Sequence, residues 1–263
     1  MPFTIKWIAA LLISLSLTLY NASFARAGVL FDGTNDCLFS AGTVDFSADV
    51  ITVSFWSYWD SFANDDDLLL ELSANSNLNN PTIQINPNTT GFSSGTWNTL
   101  IHGSVGYRIE SITRPSGAVW HHYAIVYNNT TANGDIKIYL NGTEQSTTVE
   151  LNTKTDTGNF KTDTLYLMSR ACASLFADGR LSDLSIHKVE LTATEIALMA
   201  GSKVKGIAYQ IQPSNLLLYL PLDECSDGAA CTTASGFRDR KGANNFSPTN
   251  SPTGSAEAVL TYP

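Results

Sequence analysis

The sequence predicts an all-β protein, an antiparallel β-sandwich with one short helix near residues 193–200. Short apolar stretches, alternating or continuous, recur along the chain between clusters of Gly, Asn, Asp and Pro. That is the pattern of many short strands. The clearest stretch, Trp120–Thr143 (WHHYAIVYNNTTANGDIKIYLNGT), reads as two adjacent antiparallel strands. Strong helix start signals gather around Thr192.

Composition bounds the rest. The chain has 263 residues, 43% hydrophobic and 15% charged, enough for a sizeable core in one sandwich domain. Residues 1–27 stand apart: Lys6 leads into the apolar run Trp7–Tyr20, followed by Ala25-Arg26-Ala27. This reads as a secretory signal peptide cleaved after Ala27. A run of 14 residues is short for a bilayer span, so no membrane span is expected after cleavage. Cleavage removes two of the 15 basic residues and no acidic one, leaving 13 against 24, a formal charge of −11. Such an acidic chain argues against nucleic acid as a partner. Four cysteines in an oxidising compartment predict two disulfides. Three pairings are open; Cys225 and Cys231 close an easy short loop, leaving Cys37 with Cys172. His102, His121, His122 and His187 lack zinc-ligand spacing.

The elements follow in order. Gly28–Ser40 (GVLFDGTNDCLFS) is a strand, a polar turn and a second strand. Asp32-Gly33-Thr34-Asn35-Asp36 gathers hard oxygen donors of the kind calcium prefers; the competing reading is an Asx-type turn. Ile51–Asp60 (ITVSFWSYWD) is an aromatic-rich strand with Phe55 and Trp59 on one face, Trp56 and Tyr58 on the other. Trp56, Tyr58 and Trp59 are candidates for stacking on a sugar, against the ordinary role of strand aromatics as core. In Asp65–Leu72, Leu68, Leu70 and Leu72 share the core face, so Asp67 and Glu71 point the other way and are read as solvated. Ile83-Gln84-Ile85 is a short strand between polar loops, and Thr96–Ser111 alternates too weakly to assign.

In the central pair, Trp120–Tyr127 is apolar on both faces and suits a covered strand. Asp135–Leu140 alternates, with Ile136, Ile138 and Leu140 inward and Lys137 and Tyr139 in water. Asn141-Gly142 is the dipeptide of a tight hairpin turn. His121 and His122, being adjacent on a strand, point to opposite faces and cannot share a proton or a metal ion. Thr164–Arg170 and Gly179–His187 are further strands. Thr192 and Glu195 form a capping box, Leu191 and Ile196 a hydrophobic staple, and Gly201 ends the helix. Beyond a short linker, Asn215–Glu224 (NLLLYLPLDE) is a strand, followed by FRDRKGANN from Phe237.

Several of these motifs carry a family resemblance. The Phe31-Asp32-Gly33 turn, the Trp-His strand ending in Asn-Gly, and the Gly-x-Leu-x-Asp strand running into a helix resemble laminin-G-like domains across residues 28–201. These have the concanavalin A-like jelly-roll sandwich. Asn215–Glu224 with Asp239-x-x-Gly242-x-x-Asn245 is similar to the opening of such domains, here placed last. The 49 residues after 214 are too few for a second sandwich, so 215–263 is expected to fold back in permuted order and supply a strand to one domain spanning 28–263.

The resemblance implies a secreted or cell-surface, non-catalytic module for an extracellular glycan or glycoprotein, used in adhesion or attachment. It also implies a calcium ion at the rim, with Asp32, Asn35 and Asp183 as ligands. The alternatives are a polysaccharide-degrading glycosidase or lyase on the same sandwich, or a structural surface protein. An enzyme is disfavoured because Asp67 and Glu71 lie roughly 13 Å apart along a strand, whereas a retaining pair needs about 5–5.5 Å. The tight Glu-x-Asp-x-x-Glu strand of laminarinase-type enzymes is missing too. No serine, cysteine or phosphate-loop motif stands out.

Overall fold

The computed structural model describes residues 28–60, 62, 67–73, 81–87, 95–202, 204–232 and 236–255. The expected signal peptide, residues 1–27, lies outside them.

Eighteen strands and one α-helix appear in the described chain. The first five strands are β1 (Gly28–Asp32), β2 (Cys37–Ser40), β3 (Val44–Asp45), β4 (Val50–Trp59) and β5 (Leu70–Leu72). Next come β6 (Thr82–Asn86), β7 (Thr96–His102), β8 (Tyr107–Thr113), β9 (His121–Asn128) and β10 (Asp135–Leu140). Then follow β11 (Thr143–Glu144), β12 (Thr148–Asn152), β13 (Thr162–Asp163), β14 (Leu165–Leu167) and β15 (Asp178–His187). After α1 (Ala193–Gly201) and a 3-10 turn (Ile207–Tyr209) come β16 (Leu216–Leu220), β17 (Phe246–Thr249) and β18 (Thr253–Ser255).

Two antiparallel sheets face each other. The first runs β11-β10-β9-β4-β15-β1-β18, and β16 also pairs with β15. The second runs β12-β8-β7-β6-β5-β14-β2-β17, so the weakly alternating segment 96–111 is in fact a hairpin. Between the sheets lies a dry core in which the Tyr123 ring stacks on Phe55 at 5.5 Å and on Trp97 at 4.9 Å. Burial pushes the Tyr123 and Tyr127 phenols far above their usual range, so both stay neutral. This is the jelly-roll sandwich architecture. Both disulfides are formed, Cys37–Cys172 and Cys225–Cys231.

The Asn141-Gly142 turn has φ +50° and +83° and joins β10 to β11 as a two-residue hairpin. The capping box is present, with Thr192 N donating to Glu195 Oε2 at 2.8 Å and Glu195 N donating to Thr192 Oγ1 at 3.3 Å. The helix takes in Gly201 and is capped by Ser202. A second apolar cluster lies outside the sandwich, where Ile196 and Met199 of α1 meet Ala124, Val126 and Tyr139. Tyr139, expected in water, is therefore covered by the helix.

Asp67 and Glu71 also depart from expectation, since both are buried. The Glu71 carboxylate accepts hydrogen bonds from Gln84 Nε2 at 2.5 Å and Arg170 Nε at 3.2 Å. Gln84 is its register partner on β6, and Arg170 arrives from the turn after β14. A carboxylate can leave water when a cation and an amide replace its hydration.

The geometry that places the candidate site centres on β15. Its edge away from β4 is shared end to end: Asp178–Leu181 pair with β1, and Leu184–His187 pair with β16. Asp183 falls at the junction, with φ +54°. There the register against β4 jumps from Ser182↔Trp56 to Ser185↔Ser54. The resulting bulge puts both Leu181 and Leu184 in the core, though they are three apart, and turns Asp183 to the outer face. Asp tolerates this left-handed backbone better than most residues. A second register shift, between Ile186 and His187, moves Leu216 out of line with Leu218 and Leu220. Leu216 joins Tyr219 in the outer cluster, whereas strict alternation would have placed it with Leu218 and Leu220 in the core.

Candidate functional site

The outer face of the first sheet is divided. Alternation along β4, β9 and β15 sends Trp56, Tyr58, His122, Arg180 and Ser182 outward. Helix α1 and the 3-10 turn cover one half of this face. The other half carries an aromatic row.

Within the row, Trp56 packs edge-on against His122 at 5.3 Å, and His122 Nε2 hydrogen-bonds Ser54 Oγ at 2.9 Å. Tyr58 meets Trp120 edge-on at 5.8 Å. The Arg180 guanidinium lies over the Tyr58 ring at 4.4 Å and pairs with Asp60 at 3.2 Å. Tyr58 and Trp120 are half-buried, whereas Trp56 is only 5% exposed. Of the three aromatic candidates, then, Trp56 and Tyr58 share this face. Trp59 does not: it lies in the core, 1% exposed, and presents no ring to a ligand. The strand alternation had already put it on the Phe55 side. Trp120 belongs with Tyr58 through the pairing of β4 with β9, which sequence spacing alone does not reveal.

Beside the row, where the helical cover ends, is a pocket of about 420 Å³ lined by Lys205, Gly206, Tyr209, Tyr219, Pro221 and Arg240. Lys205 is 4% exposed, and its ammonium donates to Ser182 Oγ at 2.8 Å and to the Pro221 carbonyl. Burial lowers its pKa, opposed by the charges of Asp183, Asp223 and Glu224. The Tyr219 hydroxyl donates to Asp183 Oδ1, and Gly206 N reaches the same oxygen at 3.5 Å. Burial raises the pKa of Asp183, with Lys205 and Tyr219 pulling the other way. Tyr209, 37% exposed, stands edge-on to Tyr219 at 5.0 Å.

The Asp239-x-x-Gly242-x-x-Asn245 motif builds the pocket's far wall. Asp239 Oδ1 accepts from Tyr219 N at 3.1 Å and Lys241 N at 2.9 Å. Its Oδ2 accepts from the Asn244 amide at 3.2 Å, and Asn245 Oδ1 takes the Asp239 N–H at 3.1 Å. One carboxylate thus folds the loop onto β16. Arg240 N donates to Tyr219 O at 2.9 Å, which leaves the Arg240 side chain at the rim. Its guanidinium stands 3.8 Å from Asp223 and 3.7 Å from Glu224.

The residues expected to hold calcium do not come together. Asp32 is the register partner of Asp178, and Asp183 sits five residues further along β15, roughly 16 Å away at about 3.3 Å per residue. Asp32 Oδ1 accepts from Thr34 N at 2.9 Å and Asn35 N at 3.3 Å, an Asx turn. Asp183 is committed to Tyr219. Among the described residues no group of three or more His, Cys, Asp or Glu side chains is placed to hold a metal ion. No described helix is long and apolar enough to cross a membrane.

Comparison with known proteins agrees with the architecture. No curated protein matches the sequence. A crystal structure titled as a "putative carbohydrate binding protein" from Bacteroides ovatus is similar at 15% identity and TM-score 0.58, covering 86% of this chain and 60% of that one. The heptameric SAP-like pentraxin of Limulus polyphemus is similar at 16% identity and TM-score 0.48, covering 68% and 83%. Domain 4 of the arabinanase AbnA from Geobacillus stearothermophilus, solved with arabinotriose, aligns at 15% identity and TM-score 0.47, covering 65% and 75%. A laminin-G-type family model matches residues 31–197, more than half of the chain. With its two-sheet jelly roll and that match, the chain belongs to the concanavalin A-like lectin/glucanase superfamily.

Proposed function

We propose that the protein is a non-catalytic glycan-binding module that acts outside the cell, on a secreted or surface glycan or glycoprotein. The observation that carries this reading is the aromatic row on the outer sheet face. Tyr58 and Trp120 stand half-open on rigid paired strands, and Arg180 fixes the Tyr58 ring from one side. Flat rings held on a sheet suit the apolar face of a pyranose, and neighbouring Arg180 and Asp60 supply hydrogen-bonding groups for hydroxyls. The fold shared with the Bacteroides ovatus protein supports the reading by analogy. Two disulfides support an oxidising, extracellular setting. The enzyme alternative loses its best carboxylate, because Glu71 is tied to Arg170 and Gln84 and buried within its sheet.

A glycan array run beside a reducing-sugar release assay tests the reading. Binding without release, weakened at least tenfold by Tyr58→Ala or Trp120→Ala, is expected. Release of reducing ends would make the protein an enzyme. A blank array with no release would favour a structural surface protein.

A further inference from the structure

We propose that the pocket between Lys205, Tyr209, Tyr219 and Arg240 is a subsite for a carboxylated sugar, whose carboxylate meets the two cations while its ring rests on Tyr209. This rests on the glycan-binding reading and adds the class of sugar.

The lining is the first argument. Its six residues include two cations and two phenol rings and no carboxylate. Of the four acidic groups nearby, three accept from internal donors, and Asp223, 4% exposed, faces Arg240 at 3.8 Å. Asp183 takes the Tyr219 hydroxyl, Glu224 takes Asp223 N at 3.0 Å and Arg238 N at 3.1 Å, and Asp239 holds its own loop. The second argument is donor capacity. An ammonium has three N–H groups, and Lys205 spends two on Ser182 and Pro221. Arg240 is 44% exposed, and its contacts with Asp223 and Glu224, at 3.8 and 3.7 Å, are longer than hydrogen bonds. A guanidinium fork held this loosely can take a carboxylate edge-on.

Position is the third. Ser182, which anchors Lys205, is the register partner of Trp56, about one strand spacing away, roughly 4.8 Å. Tyr58 lies two residues along the same strand. An oligosaccharide lying on the aromatic row therefore reaches the pocket with its next residue. A volume of about 420 Å³ is within the range of small-ligand sites.

Calorimetric titration of the full chain tests the proposal with three acidic oligosaccharides, containing galacturonate, glucuronate or sialate, each beside its carboxyl-reduced counterpart. At least one acidic form should bind tenfold or more tightly than its reduced form. Arg240→Gln, at a half-exposed position, should abolish most of that preference by weakening the acidic form far more than the reduced one. Tyr209→Ala should weaken both forms, and Tyr58→Ala should do the same from the aromatic row. Lys205→Met should act like Arg240→Gln, but it empties a buried ion cluster, so the Arg240 result decides. Equal affinity for acidic and reduced forms, or a preference surviving Arg240→Gln, would overturn the subsite and leave the glycan reading standing if Tyr58→Ala still weakens binding. Failure of all three acidic probes overturns it as well. Tenfold tighter binding of a sulfated galactan would assign the pocket to sulfate instead, also overturning it.

Discussion

The Tyr219 hydroxyl donates to the buried carboxylate of Asp183 at the seam where β1 and β16 meet along β15. Asp183 in turn compensates the charge of Lys205. Tyr219→Phe removes the donor and leaves a buried acceptor, which should cost about 1–3 kcal/mol in urea unfolding. Asp183→Asn should do better than Asp183→Val, since φ +54° strains a β-branched residue. Unchanged stability in Tyr219→Phe would mean that the carboxylate finds water.

The last three strands complete both sheets: β16 pairs β15, β17 pairs β2 and β18 pairs β1. Burying Leu216, Leu218 and Leu220 at roughly 1.5–3 kcal/mol each is worth about 5–9 kcal/mol, comparable to a domain's net stability. A chain ending at Gln212 should be insoluble or lack a cooperative melt. Melting at the full-length temperature would show the tail to be dispensable.

Because Asp32 and Asp183 lie at opposite ends of the β1–β15 pairing, the ligand set Asp32, Asn35 and Asp183 cannot hold one calcium ion. Any rise in melting temperature with calcium over chelator should therefore survive Asp183→Asn; its loss in that variant would contradict this. A rise of several degrees that survives would reveal a site with other ligands.

Asp45 ties the small β3–β13 pair to the body of the protein, accepting from Ser47 N at 3.0 Å, Thr162 Oγ1 at 3.0 Å and Lys188 Nζ at 3.0 Å. The Ser47 hydrogen bonds, then Lys188, hold its carboxyl well below the usual carboxylate range. A folded pKa below the unfolded one gives stability that is complete above about pH 4 and fades as pH falls toward the folded value. Asp45→Asn should therefore lower the melting temperature at pH 7, and the gap from wild type should narrow between about pH 4 and pH 2. A gap that widens on acidification would contradict the assignment.

Local chemistry was the legible part. The alternation of Ile136 and Ile138, the positive-φ pair Asn141-Gly142 and the Thr192–Glu195 capping box each involve residues within a few positions of one another. What escaped depends on distant partners. Local sequence gives Glu71 the look of a solvated residue because Arg170, which neutralises it, is 99 positions away. The stretch between Gly201 and Asn215, read as a linker, supplies Lys205 and Tyr209 to the pocket, and Arg240 arrives from beyond β16. One further signal is local. Leu181 and Leu184, three apart in a strand whose core positions otherwise alternate, already require the bulge at Asp183.

The position of β1 between β15 and β18 also sets a schedule. Gly28 pairs with Ser255 on one side while Val29 faces Leu181 on the other. During synthesis the earliest strand must wait, unpaired, for partners made some 150 and 225 residues later. Such long-range pairing folds slowly and leaves strand edges open meanwhile. A ribosome-bound chain stopped before β15 should remain protease-sensitive at β1, and one stopped between β15 and β18 should protect β1 along its β15 edge only.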